Sequence, residues 1–267
     1  MRLQGRVALV TGASRGVGRA VSLALAREGC DLVLVAKTVE PDPRLPGTLN
    51  DTRREVEALG RRALVVRTDV RFEDQILAAV ARANQELGHV DILINNAGAL
   101  FLGPVVETPA KRFDLVVGIN ARAPFLLAQA VLPGMVERRW GHIVNMSPPL
   151  KPESAPGKVA YMISKFGMTL LTHGLAAEVR QHNVAVNSLW PVCVVETQAV
   201  IHFGFGDRDR WRRPEILADA VVALCGRDPS ERTGRAWLDE EVLAADGITD
   251  LSGYACVPGR EPLKLEW

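Results

Sequence analysis

Two short patterns in this chain could carry chemistry. The first is Tyr161-Met-Ile-Ser-Lys165. On a helix, a spacing of four puts the phenol and the ammonium on one face. A free tyrosine has a pKa of ~10, and a neighbouring cation favours the phenolate and lowers that value. Such a side chain can exchange a proton with an alcohol or carbonyl oxygen near neutral pH. The second pattern is Thr11-Gly12-Ala13-Ser14-Arg15-Gly16-Val17-Gly18, a G-x-x-x-G-x-G turn between an apolar run and an amphipathic stretch. Glycines there allow a tight turn, close approach of backbone to a pyrophosphate, and a helix N-terminus aimed at the anion. A plain strand-to-helix turn would read the same way alone. Its position on the first strand, with a second strand following at the right distance, favours a dinucleotide site.

The end of the second strand bears on which dinucleotide. An acid ~20 positions past the glycines would hold the ribose 2′-hydroxyl of NAD. The chain instead reads Leu34-Val-Ala-Lys-Thr38, with Ala36 in the acidic slot. Lys37, Thr38 and Arg15 offer two cations and a hydroxyl without a competing carboxylate, which favours the 2′-phosphate of NADP. Solvated side chains with no ligand are the alternative.

The elements that must position these residues alternate. Strands are expected at 6–11, 31–36, 62–67, 90–95, 141–146, 184–190 and 235–238. Helices are expected at 16–28, 50–59, 73–87, 110–136, 157–181 and 214–226. This order predicts an α/β fold: a Rossmann-type, doubly wound parallel sheet of about seven strands with helices on both faces. Nearly all-apolar strands such as Leu32-Val-Leu-Val35 fit a sheet covered on both sides. No linker divides the chain, so residues 1–267 are expected to form a single domain. Within it, 5–190 is the cofactor and catalytic core, 191–226 a substrate-loop region and 239–267 a C-terminal tail. Three prolines in 38–50 predict a loop. The irregular 192–213 leaves the sheet where such folds bind ligands, so it is expected to be a mobile substrate lid.

Composition excludes several classes. Lys plus Arg total 32 against 31 for Asp plus Glu, so no bulk charge supports nucleic-acid binding. No uncharged stretch looks able to span a membrane; the nearest, Ile92 to Val106, is short and holds Asn, Gly and Pro. A strand-like run starts at Arg6, leaving no room for a leader ahead of it. Four scattered cysteines predict a cytoplasmic protein, and five histidines without ligand spacing predict no metal.

Taken together, the glycine turn, Asn95-Asn-Ala-Gly98, Asn120, the strand Ile143-Val-Asn-Met-Ser147 and the Tyr161/Lys165 pair resemble the short-chain dehydrogenase/reductase family, in its order and spacing, from residue 5 to about 240. Ala36-Lys-Thr38, Leu45-Pro-Gly-Thr48, Met146-Ser-Pro-Pro-Leu150, Ala185-Val-Asn-Ser-Leu-Trp-Pro191 and Trp237-Leu-Asp-Glu-Glu-Val-Leu243 look like the hydroxysteroid dehydrogenase-like protein 2 group within it. Animal members of that group carry a sterol-carrier domain, for which this chain is expected to be too short. The resemblance implies that Tyr161 is the general acid/base. Lys165 would lower its pKa, together with a positive nicotinamide, and bind the nicotinamide ribose. Asn120 would hold a water leading to Lys165. Asp69 and Val70 would flank the adenine, Asn96, Ala97 and Gly98 would pack beside the cofactor, and Thr197 would touch the carboxamide.

Two departures matter. The family's substrate-orienting serine most often lies thirteen residues before the tyrosine, where this chain has Pro148. Ser147 is one residue earlier and could serve only if the Pro148-Pro149 loop shifts the register, since a shift of one turns a strand side chain to the other face. Pro191 is followed by Val192 rather than glycine, and Thr197 lies six residues on rather than five. The expected activity is hydride transfer between NADP(H) and the carbonyl or alcohol carbon of a small, lipophilic substrate. An enoyl reductase or a non-catalytic dinucleotide sensor are the alternatives. Met162, Trp190, Phe203 and Phe205 could line an apolar pocket or belong to the core. Surplus apolar positions near 157–181 agree with a homodimer or homotetramer.

Overall fold

Seven parallel strands form one sheet in the order β3-β2-β1-β4-β5-β6-β7. The computed structural model describes residues 1–41 and 46–265. The elements are β1 (Val7–Thr11), α1 (Gly16–Arg27), β2 (Asp31–Ala36), α2 (Leu49–Ala58), β3 (Ala63–Arg67), α3 (Glu73–Leu87), β4 (Ile92–Asn95), α4 (Ala110–Val117), α5 (Ala123–Arg138), β5 (Gly141–Asn145), α6 (Val159–Val179), β6 (Val184–Trp190), α7 (Gln198–Phe203), α8 (Glu215–Cys225), β7 (Ala236–Leu238) and α9 (Asp239–Ala245). Side chains alternate along each strand. Ala8, Val10, Leu32 and Leu34 therefore join one core with Val21, Leu25 and Val221 from α1 and α8. Val7, Leu9, Val33 and Val35 join the other with Ile76, Leu127 and Val186. Both faces are covered, which is why the strands are apolar throughout.

Four expectations need correction. The helix expected over 110–136 is two helices joined by a π-turn at Gly118–Arg122, and Asn120 sits in that turn. The expected lid 192–213 contains α7, and the expected tail opens with α9. Residues 110–138 contain a stretch long and apolar enough to cross a membrane by length and composition alone. It contains α5, whose Leu127, Val131 and Met135 are buried against the sheet. The described part of the 38–50 segment ahead of α2 is a loop as expected: Leu49 N donates to Thr38 O at 3.0 Å, and Thr48 caps α2 through a reciprocal bond with Asp51. Residues 42–45, including Leu45, and residues 266–267 of the tail lie outside the described residues.

One polar row crosses the apolar sheet near its C-terminal edge. Register puts Asn95 opposite Asn145, and Asn145 opposite Ser188. Asn95 Nδ2 donates to Asn145 Oδ1 at 2.8 Å, and Asn145 Nδ2 donates to Thr172 Oγ1 on α6 at 2.8 Å. Thr172 Oγ1 and Ser188 Oγ share a hydrogen bond of 2.7 Å. Buried polar groups are tolerated when they satisfy one another. This row ties β4, β5 and β6 to α6, the helix that carries Tyr161. Replacing Asn145 with Ala is expected to destabilise the chain by about 2–4 kcal/mol by stripping partners from Asn95 and Thr172, as a lower urea midpoint will show.

Candidate active site

The turn after β1 is built for close backbone approach. Gly12 has φ +68°, and a Cβ there would stand 2.8 Å from Asn96 Nδ2. A Cβ on Gly18 would stand 2.2 Å from Gly12 O. Asn96 staples the turn: its Nδ2 donates to Thr11 O at 2.8 Å, while Thr11 Oγ1 accepts from Asn96 N and Ala97 N, both at 3.0 Å. The N-terminus of α1 has no side-chain cap. Its first amides and the positive end of its dipole are thus available to an anion. Gly16 has φ +53°, and a Cβ there would meet nothing nearer than Thr197 Cγ2 at 3.7 Å. The glycine turn and the segment after β6 therefore face each other across a narrow gap.

That gap opens into a cavity of about 950 Å³ along the C-terminal ends of the strands. Gly12, Ser14, Arg15, Gly16, Val17 and Gly18 line one end, with Lys37, Thr38, Asp69 and Val70 beside them. No acid follows β2 at Ala36. Arg15 Nε and Nη2 donate to the carbonyls of Pro46 and Gly47 at 2.9 and 2.8 Å, which holds the guanidinium beside the end of β2. Asp69 is engaged by Arg71 Nε at 3.0 Å, and these bonds hold its carboxyl below the usual range despite partial burial. Asn96, Ala97 and Gly98 line the middle of the cavity.

Tyr161, Lys165, Met162 and Trp190 line the other end, and Thr197 lines the wall beside Gly16. Lys165 is 5% exposed. Its Nζ donates to Met146 O at 2.7 Å and lies 5.2 Å from the Trp190 ring centroid and 6.0 Å from that of Tyr161. Burial lowers its pKa to about 8. Burial pushes the Tyr161 phenol above its ordinary value. The ammonium serves the Met146 carbonyl. Asn120 is fully buried; Oδ1 accepts from Ala99 N at 2.8 Å, and Nδ2 donates to Ala99 O at 2.8 Å and to Ser164 Oγ at 2.9 Å. Both amide hydrogens are committed, so its side chain can offer a water only an acceptor. Its evident work is to tie the loop after β4 to α6.

Ser147 does not reach the cavity. It is fully buried, shares a 2.9 Å hydrogen bond with Ser188 Oγ, and accepts one from Thr169 Oγ1 at 2.9 Å. Pro148 faces the cavity instead. The two prolines do not shift the register, and the period of two turns Ser147 inward. Thr197 caps α7, accepting from Val200 N at 3.2 Å, and its side chain lies beside Gly16. Phe205 lines the cavity while Phe203 does not. Sequence reasoning missed Leu263, Lys264 and Leu265, which also line it; no local pattern marks them. Among the described residues no group of three or more His, Cys, Asp or Glu is placed to hold a metal ion.

Comparison with known proteins places this geometry. Residues 6–203 match the family model described as short chain dehydrogenase. Hydroxysteroid dehydrogenase-like protein 2 of Xenopus tropicalis is 42% identical over 261 residues, 97% of this chain and 62% of that protein. The chain thus spans less than two thirds of the length of such relatives. A solved short chain dehydrogenase of Mycobacterium thermoresistibile superposes with a TM-score of 0.92 at 41% identity, covering 99% of this chain and 95% of the other. A metagenomic short-chain oxidoreductase solved in complex with NADP gives a TM-score of 0.75 at 32% identity, covering 89% and 97%. NAD accompanies another solved neighbour, 25% identical.

Because the Ser147 hydroxyl bonds only inside the protein, Ser147→Ala is expected to cost about 1–3 kcal/mol of stability and to change the turnover number less than about twofold. Urea titration beside steady-state kinetics separates the two effects.

Proposed function

The chain belongs to the short-chain dehydrogenase family and is an NAD(P)-dependent oxidoreductase; we propose that it reduces carbonyl compounds with NADPH, using Tyr161 as the proton donor. The carrying observation is that one cavity joins the uncapped N-terminus of α1 to the Tyr161/Lys165 pair. The uncapped start of α1, reached over the glycine turn, offers free amides to a pyrophosphate. Lys37 and Arg15, with no carboxylate at Ala36, support a 2′-phosphate at the far end. When bound, the nicotinamide supplies a hydride to the carbonyl carbon.

The chain's own groups supply the rest. Tyr161 hydrogen-bonds the carbonyl oxygen and hands over its proton as negative charge develops there. Its pKa, raised from the ordinary value by desolvation, leaves the phenol protonated and able to donate. Lys165 stabilises the phenolate left behind. At 6.0 Å from the ring centroid and an effective dielectric of ~20, that attraction is on the order of 3 kcal/mol. Apolar residues at this end, including Met162 and Phe205, exclude water and favour a lipophilic substrate. Tyr161 and Lys165 in this arrangement argue against an enoyl reductase, whose tyrosine and lysine are commonly further apart. The inward-turned Ser147 is the observation that favours a dinucleotide sensor, and turnover separates the two readings. Phe125, Ile163 and Leu170 leave apolar surface exposed on α5 and α6, which supports association of copies as a homodimer or homotetramer.

NADPH oxidation over a panel of aldehydes, ketones and enals is expected to show turnover with the carbonyls alone. Tyr161→Phe should lower kcat by about 10²–10⁴-fold while NADPH affinity stays within about twofold. No turnover with any carbonyl would favour the sensor. Lys37→Ala should lower the ratio of kcat/KM for NADPH over NADH by about 10–100-fold, the equivalent of one charge-assisted hydrogen bond. An unchanged ratio would remove Lys37 from the 2′-phosphate site.

A further inference from the structure

The last described residues form part of the active-site wall. Val194 N donates to Leu263 O at 3.0 Å, Leu265 N donates to Val192 O at 2.8 Å, and Leu263 N donates to Arg210 O at 2.8 Å. Lys264 pairs with Cys193 as an antiparallel bridge. The tail is thus a short β-strap laid along the segment that leaves β6. A second tie is nearby: Arg213 N donates to Tyr254 O at 2.7 Å, and Cys256 N donates to Trp211 O at 2.9 Å. The substrate loop is therefore stapled to the chain's own C-terminal region.

Leu263 bears on Gly206, where an added Cβ would stand 3.9 Å from Leu263 Cδ2 and 3.9 Å from Trp211 Nε1. Trp211 Nε1 in turn donates to Phe205 O at 2.8 Å. This chain of contacts places Leu263 and Phe205 together on the cavity wall. Leu102 lines the same cavity from the loop after β4. Leu102 and Leu263 each remain 38% exposed although both are cavity residues. Large apolar side chains left uncovered inside a cleft mark surface that an apolar ligand covers.

We propose that the strap Leu263–Leu265 is the specificity-determining wall of the substrate end, selecting carbonyl compounds that carry an apolar group covered by Leu263, Phe205 and Leu102. The proposal rests on the carbonyl-reductase reading for the identity of the reacting group. The strap's selectivity acts on binding and is measurable without turnover.

The test uses NADPH-loaded protein, to which an alcohol binds without reacting. Calorimetry gives the Kd of octan-1-ol and butan-1-ol for the parent chain, Leu263→Ser and a chain ending at Arg260. The parent is expected to prefer octan-1-ol by about tenfold or more, since each buried methylene adds to affinity. Leu263→Ser should reduce that preference to about threefold or less, and the shortened chain should do the same. Leu263→Ser keeps the backbone ties of the strap, so it reads the wall even where the shortened chain does not fold. NADPH affinity within about twofold of the parent certifies the fold of each variant. A preference that survives in Leu263→Ser, or one absent from the parent, overturns the proposal. Octan-1-ol selectivity without carbonyl turnover would instead uphold the strap and reject the reductase reading.

Discussion

An ammonium buried to 5% exposure must find an acceptor, and Lys165 finds it in the carbonyl of Met146, just past the end of β5. The rest of the site follows from that bond. It ties α6, and with it Tyr161 one turn before the lysine, to the C-terminal edge of the sheet. It sets the Trp190 ring, at the end of β6, 5.2 Å from the charge. Cation–π attraction of this kind is worth ~0.5–2 kcal/mol and partly offsets the cost of burial. The remaining cost shows as the lysine's pKa of about 8. The polar row from Asn95 through Asn145 and Thr172 to Ser188 holds the same helix from beneath. An apolar sheet is crossed there by polar groups that bond across β4, β5, β6 and α6.

Much of this was legible in the chain. The strand order follows from alternating apolar runs and helical stretches, and all seven expected strands form within two residues of their expected ends. The glycine turn was legible because Gly12 and Gly18 leave no space for a Cβ. The Tyr161/Lys165 pair was legible because helical spacing sets it. Other features depend on contacts distant in sequence. The π-turn at Asn120 has no local signal; a 3.6-residue period runs through it. Ser147 could have been read as turned inward, because adjacent strand residues face opposite ways and its neighbour Pro148 holds the cavity side. Spacing reports the phenol's proximity to an ammonium but not its desolvation, which only the fold shows. The strap was hidden because 262–265 meets 192–194 only in the folded chain.

The segment after β6 gains its shape from these distant contacts. As sequence it is irregular, with Gly204, Gly206 and a charged run at 207–210, the pattern of a free loop. In the fold, the Glu196–Arg208 ion pair, the Trp211–Phe205 bond and the bridges to Ala255 and Lys264 hold it over the cavity. Asp239, at the start of α9, accepts from Val192 N at 2.9 Å and anchors the point where the segment leaves β6. A loop so held presents a formed pocket rather than one assembled on closure. Its energetic interest lies in the apolar surface it keeps uncovered.

The central claim is that Lys165 stabilises the charge Tyr161 acquires as it gives up a proton, and the pH dependence of NADPH-driven carbonyl reduction tests it most directly. Lys165 loses its charge through a pKa lowered by burial to about 8, while the phenol, its own pKa raised, stays protonated. Below that pH both groups carry the protons the reaction needs; above it the ammonium disappears first. The account therefore predicts kcat/KM level at neutral pH and falling by up to about 100-fold toward pH ~10, as an attraction on the order of 3 kcal/mol is withdrawn. A profile that stays flat from neutrality to that pH in folded, NADPH-saturated protein would contradict it.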